Sequence, residues 1–205
     1  MTSPAHADAL RLVYVVDALA AADAAHLEQV LAGGVTALWL RAPACTGREL
    51  YDLAVPLRER TRRYGAALLV GDRADVALAC EADGVQLGHR APPPARVRHG
   101  YRGWLGVSCH DGAGLQAARA AGADHAVLSP LAVVPGKGPP LGAAAFARLC
   151  AGAGLPVVAL GGITAREAAV ALEAGAVGVA VQRALREAPD ARGTARGLLA
   201  AMTGA

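Results

Sequence analysis

Leu155-Pro156-Val157-Val158-Ala159-Leu160-Gly161-Gly162-Ile163-Thr164 is the stretch on which the fold turns. An apolar, β-branched run stops at two glycines, and a threonine then precedes a helical pattern beginning near Ala165. The pattern predicts a buried strand, a glycine turn and a helix N-terminus. Backbone N–H groups exposed at such a junction, with the positive end of the helix dipole, favour an anion, commonly a phosphate. Glycine allows a close backbone approach that a Cβ would block. The competing reading is a turn that uses Gly for geometry alone.

The same punctuation recurs along the chain. Short apolar runs at residues 12–16, 35–40, 66–70, 84–87, 104–107, 126–128, 157–160 and 177–181 read as strands. Helical patterns fall between them, at 24–32, 47–63, 75–81, 111–121, 143–151 and 165–174, and from the last strand through Met202. Thr46 and Asp111 are placed to cap helices, and Pro56 is expected to kink or split the one that Thr46 caps. Pro92-Pro93-Pro94 opens a weak helix, since Pro is tolerated in a first turn. The polar segment before Leu12 is expected to fray. Strands apolar on both sides belong to a parallel sheet covered by helices. About eight such units over 205 residues match a single (βα)8 barrel spanning 1–205, of the TIM type and at its compact end. A doubly wound open sheet is the alternative, because periodicity alone does not show closure.

Composition narrows the classes of function. The chain is 54% hydrophobic, yet no run approaches the roughly 20 apolar residues of a membrane span. No secretory signal is visible in the first eight residues, which makes a cytoplasmic location the default expectation. A net charge of +3 and 3% aromatic content argue against nucleic acid. Cys45, Cys80, Cys109 and Cys150 show no metal or disulfide spacing and read as small buried hydrophobes. Lys137 is the sole lysine among 20 basic residues, inside Pro135-Gly136-Lys137-Gly138-Pro139-Pro140. Lysine is a compact point charge suited to phosphate oxygens, and arginine does not replace it like for like.

In a barrel the active site lies at the C-terminal strand ends. That rule gathers Arg41, Asp72, His89, Ser108, His110, Lys137, Gly161, Gly162 and Gln182 on one rim, where cations and glycine N–H donors outnumber acids. The expectation is a site for a phosphorylated small molecule. Asp72 is the candidate Mg²⁺ ligand, because Mg²⁺ often takes one or two carboxylates plus substrate phosphate. His89 and His110 are candidates for moving protons.

At these residues the sequence resembles the thiamin-phosphate synthase/TenI superfamily over nearly its whole length. The matching pieces include Leu40-Arg41, residues 72–79, Ala82-Asp83-Gly84-Val85-Gln86-Leu87-Gly88, Gly106-Val107-Ser108-Cys109-His110, Ser129-Pro130 through Lys137, and Ala159-Leu160-Gly161-Gly162-Ile163. The resemblance implies a barrel that joins a hydroxymethylpyrimidine diphosphate to a thiazole phosphate, with Mg²⁺ neutralising the departing diphosphate. It implies that Arg41 faces the pyrimidine or its diphosphate and that Asp72 holds metal. Ser108 and Lys137 would then stabilise diphosphate charge, and Gly161, Gly162, Val181 and Gln182 would bind the thiazole phosphate.

The chain departs from the synthase pattern at Trp39 and Pro43 beside the arginine, at Gly71, at Ala91 in place of a second acid, and at Val134 and Gly136. Pro130 stands where the TenI tautomerases carry their catalytic His, so His110 or His89 would have to serve as base in that reading. Two alternatives therefore accompany the transferase: a metal-free TenI-like thiazole tautomerase, and a non-catalytic binder or regulator. Self-association into a homo-oligomer is left open.

Overall fold

A computed structural model of the chain describes residues 4–204. Met1, Thr2 and Ser3, which open the segment read as free of a secretory signal, lie outside the described residues. Eight strands follow one another: β1 (Leu12–Val16), β2 (Ala37–Leu40), β3 (Ala67–Gly71), β4 (Gly84–Leu87), β5 (Trp104–Cys109), β6 (His125–Leu128), β7 (Val157–Leu160) and β8 (Gly178–Val181). Each pairs in parallel with the next, and β8 pairs back to β1 through Leu12↔Val179 and Val13↔Ala180. That last pairing closes the barrel and rules out the open sheet.

The strands are apolar on both faces because both faces are covered. Val13, Val15, Ala37, Trp39, Ala67, Leu69, Val127, Val158 and Ala180 fill the barrel interior. Their neighbours Leu12, Tyr14, Leu38, Leu40, Leu68, Val70, Val85 and Leu87 pack outward beneath the helices. The interior is not uniform. On the arc formed by β4, β5 and β6 it carries Gln86, Ser108 and His125, with Gly106 giving Gln86 and His125 room.

The helices are α1 (Pro4–Ala9), α2 (Ala18–Ala22), α3 (Ala24–Ala32), α4 (Gly47–Tyr64), α5 (Ala74–Ala79), α6 (Pro94–Gly100), α7 (Gly112–Ala120), α8 (Gly142–Ala153), α9 (Ala165–Glu173), α10 (Arg183–Arg186) and α11 (Ala191–Thr203). Thr46 and Glu49 form a reciprocal capping box at the start of α4, and Asp111 accepts from the Gly114 N–H at the start of α7. Pro56 neither splits nor ends α4, which runs unbroken for 18 residues. Burial of Leu50, Ala54, Leu57 and Thr61 holds both halves to the barrel. Two leucines at about 1.5–3 kcal/mol each offset the roughly 3 kcal/mol that an interior proline costs. The expected single C-terminal helix is two. α10 ends at Arg186, and after the non-helical residues 187–189 Asp190 caps α11 by accepting from the Gly193 N–H.

The segment before β1 is also not frayed where it is described. Residues 4–9 form α1, and both His6 and Leu10 are buried. Leu10 joins the interior cluster, and His6 packs on Trp104 and His125 with ring centroids 4.4 and 5.1 Å apart. Gly178 explains how the chain passes so close: a Cβ there would overlap the carbonyls of Leu10 and Arg11. The segment therefore closes the floor of the barrel.

One device recurs at that floor. The side chain of the residue just before a strand accepts a hydrogen bond from the first or second N–H of the preceding strand. Thr36 Oγ1 does so for Leu12, and Asp83 and Asp124 carboxylates do so for Leu68 and Leu105, each at 2.8 Å. Asp83 is paired with Arg58 and Asp124 with Arg98.

Candidate functional site

The opposite, C-terminal ends of the strands open into one cleft of about 1330 Å³. Arg41, Asp72, His89, Ser108 and His110 line one side of it, after β2 to β5 or within them. Lys137, Gly161, Gly162, Val181 and Gln182 line the other. Every residue singled out from the sequence thus faces the same space, although Ser108 lies inside β5 rather than after it.

The Gly161-Gly162 turn is built by strain that only glycine tolerates. Both residues have positive φ, +100° and +69°, in the region that L side chains avoid. A Cβ on Gly161 would stand 2.8 Å from Pro130 Cβ, and one on Gly162 2.7 Å from the Val133 carbonyl oxygen. The glycines therefore serve geometry first: they let the β6–α8 loop settle on the turn. The Leu131 N–H donates to Leu160 O and the Ala132 N–H to Gly161 O, both at 3.0 Å. This packing carries Lys137, far away in sequence, to the same cleft as the turn.

Geometry leaves the turn's donors available. Among the described residues, no turn, loop or cap hydrogen bond takes up the N–H groups of Gly161, Gly162 or Ile163, or of Gln182, Arg183 or Ala184. The nine-residue α9 starts directly behind the first set. Its dipole adds partial positive charge there.

Asp72 occupies a left-handed backbone conformation, φ 60°, and its N–H donates to the Gln86 carbonyl. Its Oδ1 accepts from the Gly88 N–H at 2.6 Å. Among the described residues Oδ2 has no hydrogen-bond donor, so one carboxylate oxygen remains for a ligand. No group of three His, Cys, Asp or Glu side chains gathers to hold a metal among the described residues. One free carboxylate oxygen fits a Mg²⁺ that takes a single protein carboxylate and fills the rest of its shell from ligand and water.

His110 Nδ1 lies 2.7 Å from the Ser129 carbonyl oxygen. A carbonyl only accepts, so Nδ1 is protonated, and in the neutral ring the lone pair lies on Nε2. His89 is exposed at the cleft wall. Ser108 Oγ accepts from the Gln86 side-chain amide at 3.2 Å.

Charge around the cleft is unbalanced. Arg41, Arg90, Lys137 and Arg183 line it, and none forms an ion pair among the described residues. Asp72 and Glu187 are the acids that line it. Sequence reasoning passed over Arg90 and Arg183, although both follow strand ends and could have been found by the same rule. It also passed over the donor on Trp39, whose buried indole N–H at the cleft has no acceptor among the described residues.

The family model described as thiamine monophosphate synthase matches residues 12–185. The chain belongs to the thiamine monophosphate synthase family. It is 44% identical over 179 residues to a putative thiamine-phosphate synthase of Geobacter sulfurreducens, covering 85% of this chain and 84% of the relative. It is 37% identical over 207 residues to the thiamine-phosphate synthase of Chloroflexus aurantiacus, covering 97% and 95%. The solved thiamine phosphate pyrophosphorylase of Pyrococcus furiosus superposes with a TM-score of 0.89 at 30% identity, over 97% of this chain and 98% of that one.

Of the six departures from the synthase pattern read from the sequence, four fall at the cleft. Trp39, Pro43, Gly71 and Val134 all line it. Gly136 has φ +77°, a conformation that a β-branched threonine would avoid. A side chain at position 136 would therefore be strained even though open space surrounds it.

Proposed function

We propose that the protein is a thiamin-phosphate synthase, which couples a hydroxymethylpyrimidine diphosphate to a thiazole phosphate and releases diphosphate. The observation that carries the reading is that, among the described residues, four unpaired cations and two sets of unused N–H donors surround one cleft, in a family whose members bear that name. In this reading the turn at Gly161 and Gly162, with Val181 and Gln182 opposite, holds the thiazole phosphate. Arg41, Ser108 and Lys137 face the diphosphate.

The reaction breaks a C–O bond to diphosphate as the thiazole ring takes its place, so negative charge gathers on the leaving group. Fixed donors aimed at that charge stabilise the transition state more than the ground state. Lys137 contributes a point charge, Arg41 a planar fork and Ser108 a single O–H. Asp72 Oδ2 would hold Mg²⁺, which when bound neutralises diphosphate charge. No helix among the described residues is long and apolar enough to cross a membrane, and we place the reaction in the cytoplasm.

The test is diphosphate release with both substrates and Mg²⁺. Release that requires all three supports the synthase; tight thiazole phosphate binding without release removes it. One observation favours a second reading. The free Nε2 of His110 suits proton transfer on a bound thiazole carboxylate phosphate, an isomerase activity. Tautomerase turnover without Mg²⁺ that is lost in His110→Ala would favour it.

A further inference from the structure

Three side chains inside the barrel form a line that ends at the cleft. His125 on β6 and Gln86 on β4 are wholly buried, and Ser108 on β5 is half-buried. His125 Nε2 lies 3.0 Å from Gln86 Oε1, and the Gln86 amide nitrogen donates to Ser108 Oγ at 3.2 Å. β4 and β6 flank β5, so the first of these bonds must cross the interior over β5. Gly106 makes the crossing feasible, because a Cβ there would overlap both Gln86 Oε1 and the His125 ring.

The direction of this line has a chemical consequence. Burial lowers the His125 pKa to about 3, with neighbouring His6 adding to the effect, so the ring is neutral and carries one proton. A proton on Nδ1 would be a buried donor without an acceptor, since Nδ1 has no partner among the described residues. It would also set the Nε2 lone pair against the lone pairs of Oε1. A proton on Nε2 satisfies the pair and fixes Gln86 with its oxygen toward His125 and its NH₂ toward Ser108. Ser108 Oγ then accepts from inside, and its own proton is left to point into the cleft. The reversed amide would capture that proton and present an oxygen lone pair to an incoming anion.

We propose that His125 and Gln86 are positioning residues that orient the Ser108 hydroxyl as a hydrogen-bond donor to an anionic oxygen in the cleft, here a diphosphate oxygen. This rests on the assignment of Ser108 to diphosphate in the proposed function.

The test is calorimetric titration of inorganic diphosphate with Mg²⁺ into the protein and its Ser108→Ala, His125→Phe and double variants, with thiazole phosphate as a control ligand. A hydrogen bond to a charged group sets the scale at about tenfold in Kd. Each single variant is expected to weaken diphosphate by about that much, and the double variant no more than Ser108→Ala alone. Thiazole phosphate affinity should stay within about twofold in His125→Phe. A ring that acted only as packing would give independent losses that multiply in the double variant. Multiplied losses, or wild-type diphosphate affinity in His125→Phe while Ser108→Ala is weakened, would overturn the relay alone. Wild-type affinity in Ser108→Ala would overturn the Ser108 assignment and the relay with it. If His125→Phe does not fold, Gln86→Leu replaces it in the same cycle with the same expected outcomes.

Discussion

The two ends of the barrel treat charge in opposite ways. At the floor, Asp83 and Asp124 each hold a strand N–H and an arginine, at 2.7 Å to Arg58 and 2.5 Å to Arg98. At the rim, Arg41, Arg90, Lys137 and Arg183 have no carboxylate partner among the described residues. A charge already paired has little left for a ligand, whereas uncompensated cations in a cleft draw anions in. In the proposed reading the floor acts on stability and the rim on binding, and variants at the two ends should separate those readouts.

The largest separation is expected at Lys137. It is exposed and its side chain has no hydrogen-bond or ion-pair partner among the described residues, so Lys137→Ala should leave the melting temperature within about 2 °C. If it stabilises the leaving diphosphate, turnover should fall by about 10²–10³-fold, the loss typical of one oxyanion donor. Melting and steady-state diphosphate release on the same preparation check both halves. A variant that keeps its activity would show that this lysine does not touch the reacting groups.

Asp124→Ala should show the reverse pattern. It removes a half-buried carboxylate and leaves both the Leu105 N–H and the Arg98 guanidinium without it. The expected cost is about 2–3 kcal/mol in denaturant unfolding, with KM for either substrate unchanged in the protein that remains folded. Arg98 still donates to the carbonyls of Tyr101, Gly103 and Gly122, which keeps the loss below that of an abandoned buried charge. A KM shift comparable to that of Lys137→Ala would erase the distinction between the two ends.

The same contrast explains what the sequence could convey. The barrel was legible because its signals are local and repeated: apolar runs, Gly at helix ends, and polar residues after strands. The rim was legible because one topological rule places strand ends together, so Arg41, Asp72, Ser108 and Lys137 could be grouped without coordinates. The floor was not. His6 sits in an alanine-rich polar segment, and nothing in its neighbours announces that it will pack against Trp104 and His125, 98 and 119 residues away. The orientation of Gln86 was equally hidden, since it depends on a contact across the interior between strands that are not adjacent. Pro56 leaves α4 unsplit for a related reason: its local penalty is outweighed by burial that only the tertiary fold supplies.

The smallest expected effect concerns the floor histidines and has a definite sign. His125 titrates in the folded protein near 3, mainly because burial penalises the charged ring, and burial also lowers the His6 pKa, with Asp124 opposing it. In the unfolded chain each imidazole returns to the ordinary value of about 6.5. Between those limits the unfolded state binds more protons than the folded one, so stability rises with pH across the window. It is fully present above about 6.5 and is lost as the pH falls toward 3. From pH 7 to pH 5, above the titration of most carboxylates, His125 alone should account for about 1–2 kcal/mol of lost stability. Denaturant unfolding of the wild type and of His125→Phe at the two pH values isolates that share. The variant should retain the smaller slope owed to His6. Equal slopes in the two proteins would mean that His125 is not held neutral by the barrel interior, and the fixed direction of its hydrogen bond to Gln86 would lose its physical basis.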